Sequence, residues 1–434
     1  MSIWIIEPHE PLIFRDGRPF STNPGASANS LPFPFPSTTT GGVRTQAGLD
    51  EHGVFTSSSE DVLKLHVRGP LLVQLSTDDS KLEWLAPAPA DALLLKPEKE
   101  QHEHDEGPGE QNKVKAELRR LIPLNVGDAL TDLDGLSKQA EFDPPLSLVG
   151  TVQPTKQKPM DSSQVPGFWH WSCFEKWLLD PSAKKTIQSW DEVGIHGLPG
   201  EQRVHITFDK DLHAARDEAL FETNGREFTA RGEDQHNLNS ARQLALAVIV
   251  GEDAKDNRGE KLTPHPGFAT LGGERRLVHW RRSSAELLKC PDALIEQVAD
   301  EGACRIILLT PTYFTRGCYP GQKAFQQLPQ DVRPQLRALV VDRPQVVSGW
   351  DLAHKADNGR SRGRPKPTRR LVPAGSVLFL KLDGTPDTIK RWVKAAWLQC
   401  IGDDEQYCND GFGLAVVGTW DGTPQEMMRG SRHE

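Results

Sequence analysis

Proline and glycine punctuate this chain so often that few uninterrupted stretches are left for long helices: 33 prolines and 37 glycines are spread over 434 residues. Proline removes a backbone donor and glycine accepts turn geometries that other residues resist, so the pattern predicts many short strands, turns and long loops. That favours a β-rich or α+β protein over a helical bundle. The chain is 37% hydrophobic and 26% charged, which excludes a disordered tail and leaves room for two or three domains.

Short apolar runs at 3–6 and 11–14, split by a proline turn, read as an interrupted first strand. An irregular loop over 15–35 leads to Pro36-Ser37-Thr38, where the Ser37 hydroxyl is expected to cap a short helix ending near Gly48. Runs 62–68 and 71–75 read as two strands joined at Gly69-Pro70. Strand, helix, strand, strand is the first half of a ferredoxin-like unit. Further on, 203–208 and 242–250 read as strands, 251–273 as a loop, 284–300 as a helix and 304–310 as a strand. The tail reads as strand 375–381, helix 386–401, glycine loop and strand 414–420, the second half of another such unit. Ile389, Trp392, Val393, Ala396 and Trp397 form one apolar stripe on that last helix. The expected fold is therefore α+β, with two ferredoxin-like (RRM-like) βαββαβ domains, 1–195 and 196–434, carrying long loop insertions.

Charge is unevenly placed. The net charge is −9, which speaks against a free-standing nucleic-acid binder. Yet residues 98–110 hold six acids, whereas 360–370 hold six bases (Arg360, Arg362, Arg364, Lys366, Arg369, Arg370) and no acid. Gly359, Gly363, Pro365 and Pro367 make that basic segment a loop, suited to a polyanion. A second basic knot is Arg275, Arg276, Arg281 and Arg282. Six cysteines without a C-x-x-C pair predict reduced thiols and a cytoplasmic setting. No apolar run approaches the ~18–20 residues that span a membrane.

Gly411-Phe412-Gly413-Leu414 invites a dinucleotide reading, but a Rossmann fingerprint needs a strand before the glycines and a helix after them, and here the order is reversed. Gly411 and Gly413 instead permit close approach of another backbone, or of an RNA phosphate, because no Cβ intervenes. Asp403-Asp404 reads as a solvated acidic loop after a helix end, and His102, His104 and Asp105 lie in a polar run without ligand spacing, so no metal or cofactor is expected. Arg15 and Arg18 flank a glycine turn. With the helix start at Ser37 and with Arg44 about two turns on, they could gather around one anion. The aromatic run Phe168 to Trp177 reads first as core or interface, and second as a base-stacking surface.

Seven segments in order together resemble one family, the third subunit of the Cmr module of type III-B CRISPR effector complexes, in the RAMP superfamily. They are Glu7-Pro8 through Phe14-Arg15-Asp16-Gly17-Arg18-Pro19-Phe20, Pro34 through Thr45, Arg203 through Thr223, and Leu271-Gly272-Gly273-Glu274-Arg275-Arg276. Ser348 through Leu352, Pro365 through Val377, and Gly411 through Ala415 complete the set. The acidic insertion near 100 and residues 113–165 match poorly. The resemblance implies two ferredoxin-like domains that hold the 5′ handle of a CRISPR RNA. It also implies docking of the large polymerase-like subunit and the adjacent backbone RAMP subunit, indirect contact with target RNA, and no catalysis. It maps the RAMP glycine loop onto Gly411, Gly413 and Gly418. The expected RNA path is Arg15, Arg18, Ser37, Arg44, Arg275, Arg276, Lys366, Arg369, Arg370, Gly411 and Gly413.

Two readings from other classes stand beside it. A metal-independent endoribonuclease processing CRISPR RNA would need a general acid and base at the scissile phosphate. The chain offers only Tyr313, Tyr319 and Tyr407, and no histidine within 37–49 or beside the glycine loop, although His9 or His52 could fold in. The other reading, a small-molecule enzyme, would use the glycine loop for a nucleotide.

Overall fold

In this computed structural model the described residues are 1–15, 26–28, 30–76, 78, 81–97, 116–125, 146–153, 155–180, 185–209, 211, 214–230, 241–351 and 363–427. The architecture is mixed α/β, dominated by antiparallel sheets with few helices. Among the described residues no helix is long and apolar enough to cross a membrane, and none of the six cysteines forms a disulfide.

The larger sheet takes β1 (Ser2–Pro8), β2 (Val67–Leu75), β3 (Leu82–Pro87), β4 (Phe168–His170), β5 (Gly194–Ile195), β6 (Arg242–Val250), β7 (Gly267–Leu271) and β8 (Arg276–Ser283). Their order is β5-β4-β3-β2-β6-β1-β8-β7. The second sheet takes β9 (Ala303–Leu308), β10 (Arg333–Val340), β11 (Val377–Asp383), β12 (Gln399–Cys400) and β13 (Leu414–Thr419), in the order β10-β11-β9-β13-β12. Between these two sheets, membership changes between Ser283 and Ala303, because β6 and β8 return to flank β1.

Helix α1 (Pro36–Ala47) follows β1, and α2 (Trp171–Leu179) follows β4. Helix α3 (Asp292–Glu301) precedes β9 and α4 (Pro386–Ala396) follows β11. The α4 start is well specified: Thr385 accepts from the Thr388 amide, Pro386 opens the helix and Asp387 sits in the first turn. Its buried face is Ile389, Trp392, Val393 and Ala396, as the stripe predicts.

Four local expectations need correction. Ser37 does not cap α1: the N-cap is Phe35, without a side-chain bond, and Pro36 begins the helix. Proline's fixed φ and missing N–H suit that first position, which moves Ser37 one residue inside it. Residues 67–75 form one strand through Gly69-Pro70, and Ser59–Leu63 is a short helix. A bulge opposite Val248 accommodates the missing proline donor. The helix placed at 284–300 starts only at Asp292, and the one placed at 386–401 ends at Ala396.

Two cores result. One face of the large sheet (Trp4, Ile6, Leu246, Val248, Trp280) packs against Val43 and Ala47 of α1. The opposite face (Ile3, Ile5, Val73, Ala247) joins Phe174 and Trp177 of α2, α3, α4 and the second sheet in one continuous core. Trp169, Phe174, Trp177 and Leu178 are buried there, so most of that aromatic run is core.

At the centre of this core Arg305 and Asp91 form an ion pair with both side chains fully buried. Arg305 Nε donates to Thr419 O at 2.9 Å and its Nη2 to Trp177 O at 2.7 Å, while Trp177 Nε1 donates to Asp91 at 2.9 Å. Arg305 faces Gly418 across the sheet, and a Cβ there would come within 3.0 Å of the guanidinium. Removing one member strands the other charge in a dry interior. Asp91→Ala is expected to cost about 3–5 kcal/mol, read as a lower urea midpoint. An unshifted midpoint would show that the pair is not structural.

Candidate nucleic-acid interface

The glycine loop is built by close backbone approach. Gly411 has φ +96° and a Cβ on it would lie 2.6 Å from Gly69 O and 3.0 Å from Val67 O of β2. Gly413 has φ +80° and a Cβ there would lie 2.0 Å from Ile401 O. Both glycines therefore bring protein backbones together, and at Gly411 the loop before β13 meets β2 of the large sheet.

Arg44 reaches the same loop from α1. Its Nη1 donates to Asp410 at 2.5 Å and its Nη2 to Leu65 O at 3.1 Å, while Thr40 Oγ1 donates to Asp410 O at 2.6 Å. The guanidinium is buried and its fork is occupied inside the protein. Beside it, Phe35, Val347, Leu371 and Phe412 form a small third core. That cluster ties the start of α1, the glycine loop and the root of the basic segment into one locale.

The described part of the basic segment, 363–370, joins a two-stranded ribbon. Gln345–Val347 pairs with Arg369–Leu371, and Trp350–Asp351 with Arg364–Pro365. Arg369 sits in the corner of an edge-to-face tyrosine pair, 4.3 Å from the Tyr313 and 4.6 Å from the Tyr407 ring centroid, and donates to Asp404 at 2.7 Å. Burial alone would raise the Asp404 carboxyl. Hydrogen bonds from Arg369 and from the Tyr407 and Gln406 amides outweigh it and hold its pKa below the ordinary value. The solvated acidic loop expected at Asp403-Asp404 is thus a structural joint. Asp403 is nearly buried and accepts from the Thr315 and Gly321 amides, because the helix ends before it and the chain turns inward.

The remaining expected cations divide by exposure. Arg276 is buried between Glu10 and Glu274, both at 2.7 Å. Arg275, Lys366 and Arg370 are exposed, as is Ser37 in the first turn of α1, which holds no acid. Arg15 is exposed and bridges to Ser30. Arg18, Arg360, Arg362 and the acidic run lie outside the described residues. The structure therefore gathers Ser37, Arg44, Arg369, Arg370, Gly411 and Gly413 around the third core, sets Lys366 farther along the ribbon, and leaves Arg275 and Arg276 on the β7–β8 turn.

Beside that locale opens a cleft of about 1060 Å³ between the large sheet and Leu309–Pro311, the segment that follows β9. Its wall carries Phe33 and Phe168, with ring centroids 5.2 Å apart, and Trp190 and His196, 6.3 Å apart. Arg226 and Arg242 lie at its border, Arg226 donating to the Leu31 and Ser30 carbonyls. The sequence reading missed these residues, since the wall is assembled from segments more than 100 positions apart. Only Phe168, in a run read mainly as core, gave a signal.

A family model covers residues 4–420, nearly the whole chain, and places it among the CRISPR-associated proteins. The chain belongs to the family CRISPR-associated protein (Cas_Cmr3), the third subunit of the type III-B Cmr module that the sequence resembles. No curated protein matches it. Two solved chains from cryo-EM structures of the type III-B Cmr-beta align with it, one bound to cognate target RNA and the other to cognate target RNA and AMPPnP in state 1. Each shows 13% identity over 87% of this chain and 86% of the other, with a TM-score of 0.39.

Gly411→Ala places a methyl group against two carbonyl oxygens at positive φ. The expected loss is at least about 1–3 kcal/mol of stability, measured by thermal unfolding; a variant as stable as the parent would refute the close-approach role.

Proposed function

We propose that this subunit of a type III-B CRISPR effector complex is a non-catalytic scaffold that holds the 5′ handle of the CRISPR RNA. The cleft carries the reading. It offers aromatic faces for unpaired bases, a helix start free of acids at its rim, and exposed Lys366 and Arg370 on the adjoining ribbon. Single-stranded RNA is recognised by this combination of stacking and phosphate neutralisation. Arg15, Arg18, Ser37 and Arg275 extend the path, while Arg44, Arg276, Arg369, Gly411 and Gly413 hold its walls in place. The large polymerase-like subunit and the adjacent backbone subunit are its protein partners, target RNA is reached through the guide, and the setting is the cytoplasm.

The strand orders support two ferredoxin-like units. In the large sheet β2-β6-β1-β8, with α1 between β1 and β2, follows the ferredoxin order with the second helix replaced by a loop and β7. In the second sheet β10-β11-β9-β13, with α4 between β11 and β13, follows it with the first helix replaced by turns. Each unit thus lacks a different helix of the motif.

The test is a pull-down of the tagged chain from its host, with sequencing of bound RNA. Short RNAs sharing one repeat-derived 5′ end are expected, and recovery without RNA overturns the reading. With purified components, Lys366→Ala and Arg370→Ala should weaken binding for all sequences alike. Each should reduce the slope of log affinity against log salt by about 0.7; an unchanged slope removes that residue from the path.

A further inference from the structure

One row of side chains on the large sheet opens to solvent toward its β7 edge. Glu7 of β1 faces His279 of β8, which faces Phe268 of β7. The row shares its face with Ile3 and Ile5, which α2, α3, α4 and the second sheet cover at the centre of the sheet but not at its β7 edge. Phe268 is 64% exposed, more than any other large apolar side chain among the described residues. His279 lies 5.0 Å from it and His9 5.2 Å, centroid to centroid. Glu7 sits 3.6 Å from His279 Nδ1 and accepts from Arg281, so the imidazole is held in place rather than swinging free.

Along β8 the same face presents Leu277, His279 and Arg281, one every second residue, so about 7 Å apart. Exposed Arg275 stands in the β7–β8 turn just before the strand, and Arg281, bound to Glu7, closes the other end of the aromatic cluster. We propose that this strip is a stacking platform for an unpaired ribonucleotide base, outside the cleft, with Arg275 at the adjoining phosphate. The proposal rests on the RNA-binding reading and extends it to a second surface.

The physical case is the kind of side chain exposed. A flat sheet face lets an aromatic ring lie open, and the base has a π-face to set on it whatever its identity. Imidazoles at the ring edge add hydrogen-bonding partners without closing the platform. Leu277, at 40% exposure, is the one large aliphatic side chain of the row, too little for the apolar centre of a stable protein interface. Arg275 has no intramolecular partner among the described residues, in contrast to Arg276 beside it.

The purified full chain is irradiated with a single-stranded RNA containing 4-thiouridine, and the crosslinked peptides are mapped. The parent should crosslink within residues 267–281 as well as at the cleft. Phe268→Ala, an exposed position whose loss leaves the cores intact, should abolish the first set and weaken binding about 5- to 100-fold. Phe268→Trp should restore both. If Phe268→Ala binds with undiminished affinity and 267–281 stays unlabelled while the cleft is labelled, the platform is refuted and the handle reading survives. If neither surface is labelled and no RNA is retained, both fall.

Discussion

The Arg305–Asp91 pair is the constraint around which the rest is arranged. Asp91 follows β3 of the large sheet, Arg305 lies in the central strand of the second sheet, and the carbonyls they satisfy belong to the end of α2 and to β13. Helix ends leave carbonyls without partners, and a buried one must find a donor. Here a guanidinium meets that need at Trp177 while its charge is balanced by Asp91, so four segments from distant parts of the sequence are joined by one residue. Gly418 opposite leaves the space the guanidinium fills. Two fully buried charges stabilise a fold only when every donor and acceptor is met, and this geometry meets them.

A second joint sits at the glycine loop. Arg44 bound to Asp410, Thr40 bound to the Asp410 carbonyl, and Gly411 against the Val67 and Gly69 carbonyls together clamp α1 and β2 to the second sheet. The clamp fixes where α1 begins, and therefore where Phe33 and Phe35 stand at the rim of the cleft. Residues that look like phosphate ligands in the sequence thus act on the cleft through its walls. Arg369 repeats the pattern, its guanidinium held against the perpendicular rings of Tyr313 and Tyr407 and bound to Asp404.

The same division of labour makes an acidic total of −9 compatible with the proposed RNA partner. Several arginines are neutralised by Asp or Glu within the fold, as Arg276 is by Glu10 and Glu274. Of the cations proposed for the RNA path, Arg275, Lys366 and Arg370 are exposed and able to act outward. Local potential, not net charge, governs where a polyanion approaches.

The sequence by itself determined the elements whose physics is local. Buried strand 242–250 is a continuous apolar run, the α4 face follows a 3.6-residue period, and glycine at 411 and 413 announced close backbone approach. It also carried the family, through short motifs kept in order along the chain. Tertiary structure alone decided what those motifs touch. Nothing near Arg44 in sequence names Asp410, and no local pattern tells an arginine that will be buried on a carboxylate from one left in water. The cleft and the open row at Phe268 were illegible for the same reason. Each is made by strands and loops that meet only after the sheets pair, and pairing across hundreds of residues is settled by core packing rather than by neighbours in the chain.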